Sequence, residues 1–295
     1  MKHAFLILAH EQPKHLLKLV NKLNSDFANF YIHIDSKSKV LIESDEIQLL
    51  KAYSNVTFVT SRSTHWGGFS LVKAEIDLLK AAYDSCDNER FHLISGVDYP
   101  MVSNQHLYSF FENNVNDYIL WDESEAHKRY YIDCFYFYDR YFGKSKANKF
   151  NYYFLKPIYV AMQRASRLLY QYLNIKLRKQ IPGTFYHAFG AQWFSISRSS
   201  AEYIVNYLRQ NEWIIKRFEH TAVSDETFFV MILMNGPRKE YAINDNLRFF
   251  GKKSNELLLD TSDWVDLERS NGIFARKVNS GKSDLLISLI DERTA

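Results

Sequence analysis

Residues 4–34 read AFLILAHEQPKHLLKLVNKLNSDFANFYIHI. The apolar run Ala4–Ala9 predicts a buried strand, since six consecutive apolar residues suit a strand covered on both faces. Glu11-Gln12-Pro13 then opens a helix, with Leu16, Leu17, Val20 and Leu23 at helical spacing. Phe30–Ile34 predicts a second strand, stopping at Asp35-Ser36-Lys37. Strand, helix and strand in this order argue for a parallel α/β sheet.

The alternation continues outward. Val56–Val59, Phe91–Ile94 and Tyr118–Trp121 predict three further strands. Ser70–Tyr83, with Val72, Ile76, Leu79 and Ala82 on one face, and Leu107–Glu112 predict helices between them. The pattern breaks after 122. Residues 123–184 are rich in Tyr, Phe and Lys, and within them 157–179 predicts a basic amphipathic helix ended by Pro182-Gly183. Strand character returns over 185–197. Helices follow at 203–209 and 226–234, then short segments and a helix at 283–291. We read residues 1–295 as a single domain. Its parts are a nucleotide-binding half at 1–122, the aromatic and basic subregion at 123–184, and an acceptor and catalytic half at 185–295.

The chain has 295 residues, enough for a sizeable core. Its 22 Phe, 20 Tyr and 5 Trp suit ring stacking as well as plain packing. Two cysteines, Cys86 and Cys134, give no disulfide framework and fit a reducing compartment. The opening apolar run is too short for a signal-peptide core, and no segment reaches the roughly 20 apolar residues of a spanning helix. The expectation is a cytoplasmic protein, or one attached to a membrane face. The net charge of +3 hides an asymmetry: residues 128–182 hold twelve Lys/Arg against two Asp/Glu, leaving about −7 on the remainder. Nucleic-acid binding would need a positive surface over much of the protein, so it is not expected.

Ligands of open α/β sheets bind at the carboxyl ends of strands. Asp35 stands at such an end, either as a turn-forming residue or as an acceptor for a ribose or uracil. His65-Trp66-Gly67-Gly68-Phe69-Ser70 offers a stacking face beside two permissive glycines, with Ser70 as a helix cap; the alternative is a Trp that plugs the core. Ser95–Pro100 places Asp98 in a turn. Ser224-Asp225-Glu226 sets Ser224 as a helix cap and two acids at the start of an apolar helix, where one acid complements the dipole and a second is available as a general base. Phe274-Ala275-Arg276-Lys277 and the pair Lys252-Lys253 supply cations suited to a diphosphate. There is no Walker A pattern, Gly-x-Gly-x-x-Gly, His-Glu-x-x-His, Cys-x-x-Cys or Asp-x-Asp.

Taken in order, these segments resemble the core-2/I-branching β-1,6-N-acetylglucosaminyltransferase and xylosyltransferase family. The resemblance rests on Ile7–His10, Ile32–Ser38, the Trp-Gly-Gly loop and helix over His65–Glu75, and His92–Pro100 with its Ser95-Gly96-Val97-Asp98-Tyr99-Pro100 turn. It continues with Gly190–Arg198, Ser224-Asp225-Glu226 and Phe274-Ala275-Arg276-Lys277. It implies an α/β, GT-A-like fold with a mixed, mostly parallel central sheet. It also implies an inverting, metal-independent transfer, with no cofactor beyond the co-substrate. Glu226 would deprotonate the acceptor hydroxyl. Asp35 and Trp66 would line the nucleoside site and Lys277 would bind the diphosphate. The second cation of some relatives falls at Ser254, leaving Lys253 or Lys252 to supply that contact. Asp98, Trp193, Asp225 and Arg276 complete the expected substrate site. The donor implied is UDP-GlcNAc or UDP-xylose, and the acceptor a glycan or lipid-linked sugar. The chain is most similar to short bacterial members that build surface polysaccharide. Segment 157–179 is expected either to meet a membrane face or to close the acceptor cleft. The alternative function is a carbohydrate- or nucleic-acid-binding module without catalysis.

Overall fold

Strand β1, Lys2–Ala9, is buried from His3 onward on both faces. The computed structural model describes residues 1–85, 87–122, 129–137, 139, 156–173, 181, 185–251 and 258–295. The helix Pro13–Leu23 follows, with Pro at its start, where the missing N–H costs nothing. It buries Leu16, Leu19, Val20 and Leu23 and returns the chain to β2, Ala28–Ile34. The pairing of β2 with β1 is parallel, from His3 opposite Ala28 to Ala9 opposite Ile34. The further strands are β3 Val56–Phe58, β4 Asn88–Ser95, β5 Asp98–Pro100, β6 Asp117–Asp122, β7 Phe189–Ser197, β8 Ala242–Ile243, β9 Arg248–Phe250 and β10 Phe274–Arg276.

Seven strands form one sheet in the order β3-β2-β1-β4-β7-β6-β8. Six run the same way and β7 runs against them. This is the mixed, mostly parallel sheet that the family resemblance implies; the strand–helix–strand pattern alone points to a parallel one. Alternation along β1 divides the core. Ala4, Leu6 and Leu8 face the helix Phe69–Asp84 and the helix Phe228–Met234. Phe5, Ile7 and Ala9 face the helix Pro13–Leu23. Each Leu, Ile or Phe fully buried in this way contributes about 1.5–3 kcal/mol.

A second sheet, β5-β10-β9, packs on the helix Asp284–Arg293. Here the structure corrects the sequence reading. Asp98–Pro100 is a short strand, antiparallel to β10, and not merely a turn. Two helix caps are corrected too. Gly68, not Ser70, caps Phe69–Asp84, and the Ser70 hydroxyl instead accepts the His65 amide. Ser224 makes no side-chain cap: its hydroxyl is buried without a partner among the described residues.

The expected basic helix is present over Lys156–Leu173; its continuation to 179 lies outside the described residues, as does most of 123–155. Among the described residues no helix is long and apolar enough to cross a membrane.

Candidate active site

The carboxyl ends of the parallel strands and the start of the reversed β7 share one edge of the large sheet. The turn Ser224–Glu226 packs against β7 and against the helix Phe69–Asp84. Gly67 makes that approach possible. Gly67 adopts φ 68°, a region that L side chains rarely enter, and its carbonyl accepts the Val223 amide at 2.8 Å. A side chain at Gly68 would meet the Asp139 carbonyl oxygen at 2.6 Å. Val223 itself sits at φ 51°, a strained position for a β-branched residue that costs about 1–3 kcal/mol. The loop at 65–68 and the acids at 225–226 are therefore held as one unit.

A cleft of about 260 Å³ opens there, lined by Trp66, Gln192, Trp193, Asp225, Glu226, Phe250, Arg276 and Lys277, with Ala191 and Gly251. Six side chains singled out from the sequence thus meet in one place: Trp66, Trp193, Asp225, Glu226, Arg276 and Lys277. Trp66 is 61% exposed, so it offers a face and does not plug the core.

The other three behave differently. Asp98 does not line the cleft; it is fully buried and grips Arg276 from behind, Nη1 to Oδ1 at 2.6 Å. Its second oxygen accepts the Ser95 amide at 2.9 Å. Asp98, expected at the substrate site, thus stands bonded to Arg276, which lines the cleft. Asp35 also lies outside the cleft lining, and its oxygens are committed locally. Oδ1 accepts the Lys37 amide at 2.9 Å and Oδ2 accepts the Thr64 hydroxyl at 2.8 Å. Burial pushes this carboxyl up, but those two bonds and the Lys37 ammonium outweigh it and hold it below the usual range. Lys253 and its neighbour Lys252 lie outside the described residues.

Arg276 lies over Trp193, its guanidinium carbon 3.9 Å from the ring centroid. Arg276 and Lys277 give the cleft lining two cations, and Asp225 and Glu226 give it two acids. Burial lowers the Lys277 pKa, Arg276 lowers it further, and Glu11 and Asp98 oppose them. Burial, then the charge of Glu226, pushes Asp225 up to about 7. A cation pair suits a diphosphate; a carboxylate at the rim suits proton abstraction. Among the described residues no group of three or more His, Cys, Asp or Glu is arranged to hold a metal ion.

Sequence reasoning missed Gln192, Phe250 and Glu75. Gln192 sits in the Gly190–Arg198 run, overshadowed by Trp193. Phe250 ends a three-residue strand too short to show alternation. Glu75 carried a legible signal: an acid three residues after Val72, on the apolar face of its helix.

Comparison with known proteins places these residues in context. Residues 3–266 match the family model of the Core-2/I-Branching enzyme. That span takes in Trp66, Asp98, Trp193, Asp225 and Glu226 and stops short of Arg276 and Lys277. The chain is 27% identical over 258 residues to xylosyltransferase 2 of Canis lupus familiaris, covering 83% of this chain and 26% of that protein. It is 24% identical over 253 residues to xylosyltransferase 1 of Rattus norvegicus, covering 83% and 27%. The chain thus spans about a quarter of the length of these relatives. Among solved structures, the WbbM bifunctional glycosyltransferase in its apo form covers 95% of this chain and 46% of its own, at 8% identity and a TM-score of 0.39, too loose a superposition to bear on function. With a family match over residues 3–266, most of the chain, the chain belongs to the Core-2/I-Branching enzyme family.

Proposed function

We propose that this chain is an inverting, metal-independent glycosyltransferase. It moves N-acetylglucosamine or xylose from a UDP-sugar to an acceptor hydroxyl, in the synthesis of surface polysaccharide. The observation that carries this reading is that Glu226, Arg276 and Lys277 line one cleft. Family membership and the xylosyltransferase relatives support the class of reaction.

In this mechanism Glu226 takes the proton of the acceptor hydroxyl. The oxygen attacks the anomeric carbon from the side opposite the diphosphate. The bond from that carbon to the phosphate oxygen breaks, its electron pair leaves with UDP, and configuration inverts in one displacement. Lys277 and Arg276 offset the charge gathering on the diphosphate. A positioned base contributes typically ~10²–10⁴-fold, and loss of one electrostatic contact of this kind costs about 3 kcal/mol. Trp66, exposed at the rim, is read as a stacking face for the nucleoside.

The acceptor is read as a glycan or lipid-linked sugar. The helix Lys156–Leu173 leaves Ile158, Leu168 and Tyr172 exposed and carries no acid, a composition suited to an anionic membrane face. Flotation with acidic liposomes tests this part; absence of salt-sensitive binding removes it.

The function itself is tested by thermal shift with a panel of nucleotide sugars and no added metal. A ligand that binds only the folded form raises the melting temperature. UDP-GlcNAc or UDP-xylose is expected to raise it. No shift with any nucleotide sugar would refute the reading.

A further inference from the structure

A second cavity, of about 490 Å³, opens at the other edge of the large sheet. Arg90 and Ser197, directly opposed in the β4–β7 ladder, both line it. Trp193, on the same strand β7, lines the cleft. Four residues of strand separate Ser197 from Trp193, about 13 Å.

Three guanidinium groups line this cavity from three elements. Arg90 comes from β4, Arg198 from the start of the helix Arg198–Gln210 and Arg238 from the loop before β8. Each is anchored by a ring and a backbone carbonyl. The Arg90 guanidinium carbon lies 5.1 Å from the Phe111 ring centroid, and Nη1 donates to the Asn116 carbonyl at 2.7 Å. The Arg198 carbon lies 4.9 Å from the Tyr83 centroid, and Nη1 donates to the Asn88 carbonyl at 2.9 Å. The Arg238 carbon lies 3.8 Å from the Tyr241 centroid, and Nη2 donates to the Val115 carbonyl at 2.8 Å. Guanidinium forks held in this way match the oxygens of a carboxylate or phosphate.

Donors remain to spare. A guanidinium has five N–H groups. Among the described residues, Nε and Nη2 of Arg90 and of Arg198 make no hydrogen bond. Counter-charge is short as well. The buried Asp117 stands 3.6 Å from Arg238, and its oxygens also accept the Ser197 amide and the Ser200 hydroxyl. Arg90 is 2% exposed, yet among the described residues neither it nor Arg198 has a carboxylate in ion-pair contact. Burial pulls the Arg90 pKa down, Asp117 opposes it and Arg238 adds to it. The exposed acids Glu89 and Glu112 also line the cavity, and neither bonds a guanidinium. A buried cation with open N–H groups beside a cavity is costly until an anion meets it.

The cavity has the size of a small-molecule site, larger than a bare ion needs. Asn113 and Ser199, exposed in its lining and without side-chain hydrogen bonds among the described residues, are free to meet hydroxyls. We propose that this cavity is a second binding site, for a sugar that carries a carboxylate or a phosphate, with Arg90, Arg198 and Arg238 gripping the anionic group. The site stands apart from the reading of Glu226 and Lys277 and does not depend on it.

The test is calorimetric titration of the full chain with glucuronic acid, glucose 6-phosphate, glucose and inorganic phosphate. The wild type is expected to bind at least one of the two anionic sugars and to bind glucose about tenfold or more weakly; the tighter of the two identifies the anionic group. Arg198→Met, half-exposed and tolerant of change, and Arg90→Lys, which keeps the buried charge but loses the fork, are each expected to weaken binding by about tenfold. Lys277→Met, in the cleft, is expected to leave it unchanged. Absence of binding by both anionic sugars, or affinities untouched by Arg198→Met and Arg90→Lys, overturns the site. Binding lost in Lys277→Met and kept in Arg198→Met overturns it too, by placing the ligand in the cleft. Inorganic phosphate binding as tightly as glucose 6-phosphate overturns the assignment of a sugar.

Discussion

Arg276 and Asp98 face each other twice. They are directly opposed residues of the antiparallel β5–β10 ladder, and their side chains meet at 2.6 Å, Nη1 to Oδ1. The backbone pairing fixes where the ion pair forms, and the ion pair fixes where the guanidinium lies on Trp193. In the parallel partner of β10, Phe250 stands opposite Arg276, so a row of three strands delivers two cleft residues and their support.

Asp98→Ala leaves Arg276 largely buried without its counter-charge. Breaking a buried pair from one side costs about 3–5 kcal/mol. Urea denaturation is expected to show a loss of that order, with Asp98→Asn milder. Asp98→Asn is also expected to raise KM for the UDP-sugar by roughly tenfold, equivalent to about 1.4 kcal/mol of lost contact. An unchanged KM would separate Asp98 from the cleft.

Lys277 has its pKa lowered by burial and by Arg276. Its positive charge is therefore lost, as pH rises, earlier than from an ordinary lysine. UDP affinity, followed by calorimetry, is expected to fall on the alkaline side well before pH 10.5. Lys277→Arg should hold its affinity through that range, because guanidinium stays protonated. Identical alkaline profiles for the two proteins would remove Lys277 from the diphosphate.

Four buried histidines act on stability in the opposite pH range. His3 is pushed down to about 3 by burial and then Arg90, and burial also lowers His15, His33 and His92. The unfolded chain takes up protons below about pH 6.5 and the folded chain does not, so the stability they contribute above that value is lost as pH falls. Denaturation midpoints are expected to decline from about pH 6.5 downward, before carboxylates titrate. A flat midpoint between pH 7 and 5 would contradict this.

Glu75 has the reverse sign. Its folded pKa is raised, so below the unfolded value near 4.5 it costs nothing, and stability is lost as pH rises from there toward the folded value. Glu75→Gln removes that slope, which is at most about 1.4 kcal/mol per pH unit. The variant is expected to gain stability over the wild type as pH rises from 5 to 8. A constant difference across that range would show that Glu75 is ionised in the folded chain.

Much of the framework was written in local patterns. Ala4–Ala9 and Phe30–Ile34 are apolar runs bounded by turn residues, and both became central strands. The cleft was legible where chemistry and punctuation coincide, at Trp66 beside two glycines and at Asp225-Glu226 before an apolar helix. Asp98 was legible as important but not in its role. Only the pairing of β5 with β10 shows that it faces Arg276, 178 residues away in the chain. Strands β8 and β9 span two and three residues, below the length at which alternation can be seen. Glu75 broke the apolar pattern of its own helix, and such a break is informative only when the packing partner is known.

The account turns on one cleft in which Glu226 accepts a proton while Lys277 steadies the departing diphosphate. The most direct measurement is UDP release from UDP-GlcNAc and UDP-xylose with acceptor present and EDTA throughout, for the wild type, Glu226→Gln and Lys277→Met. The account predicts sustained release by the wild type, a fall of ~10²-fold or more in kcat for Glu226→Gln with donor binding kept, and a loss of similar order in Lys277→Met. Near-normal release by Glu226→Gln, or abolition of wild-type release by EDTA, would contradict it.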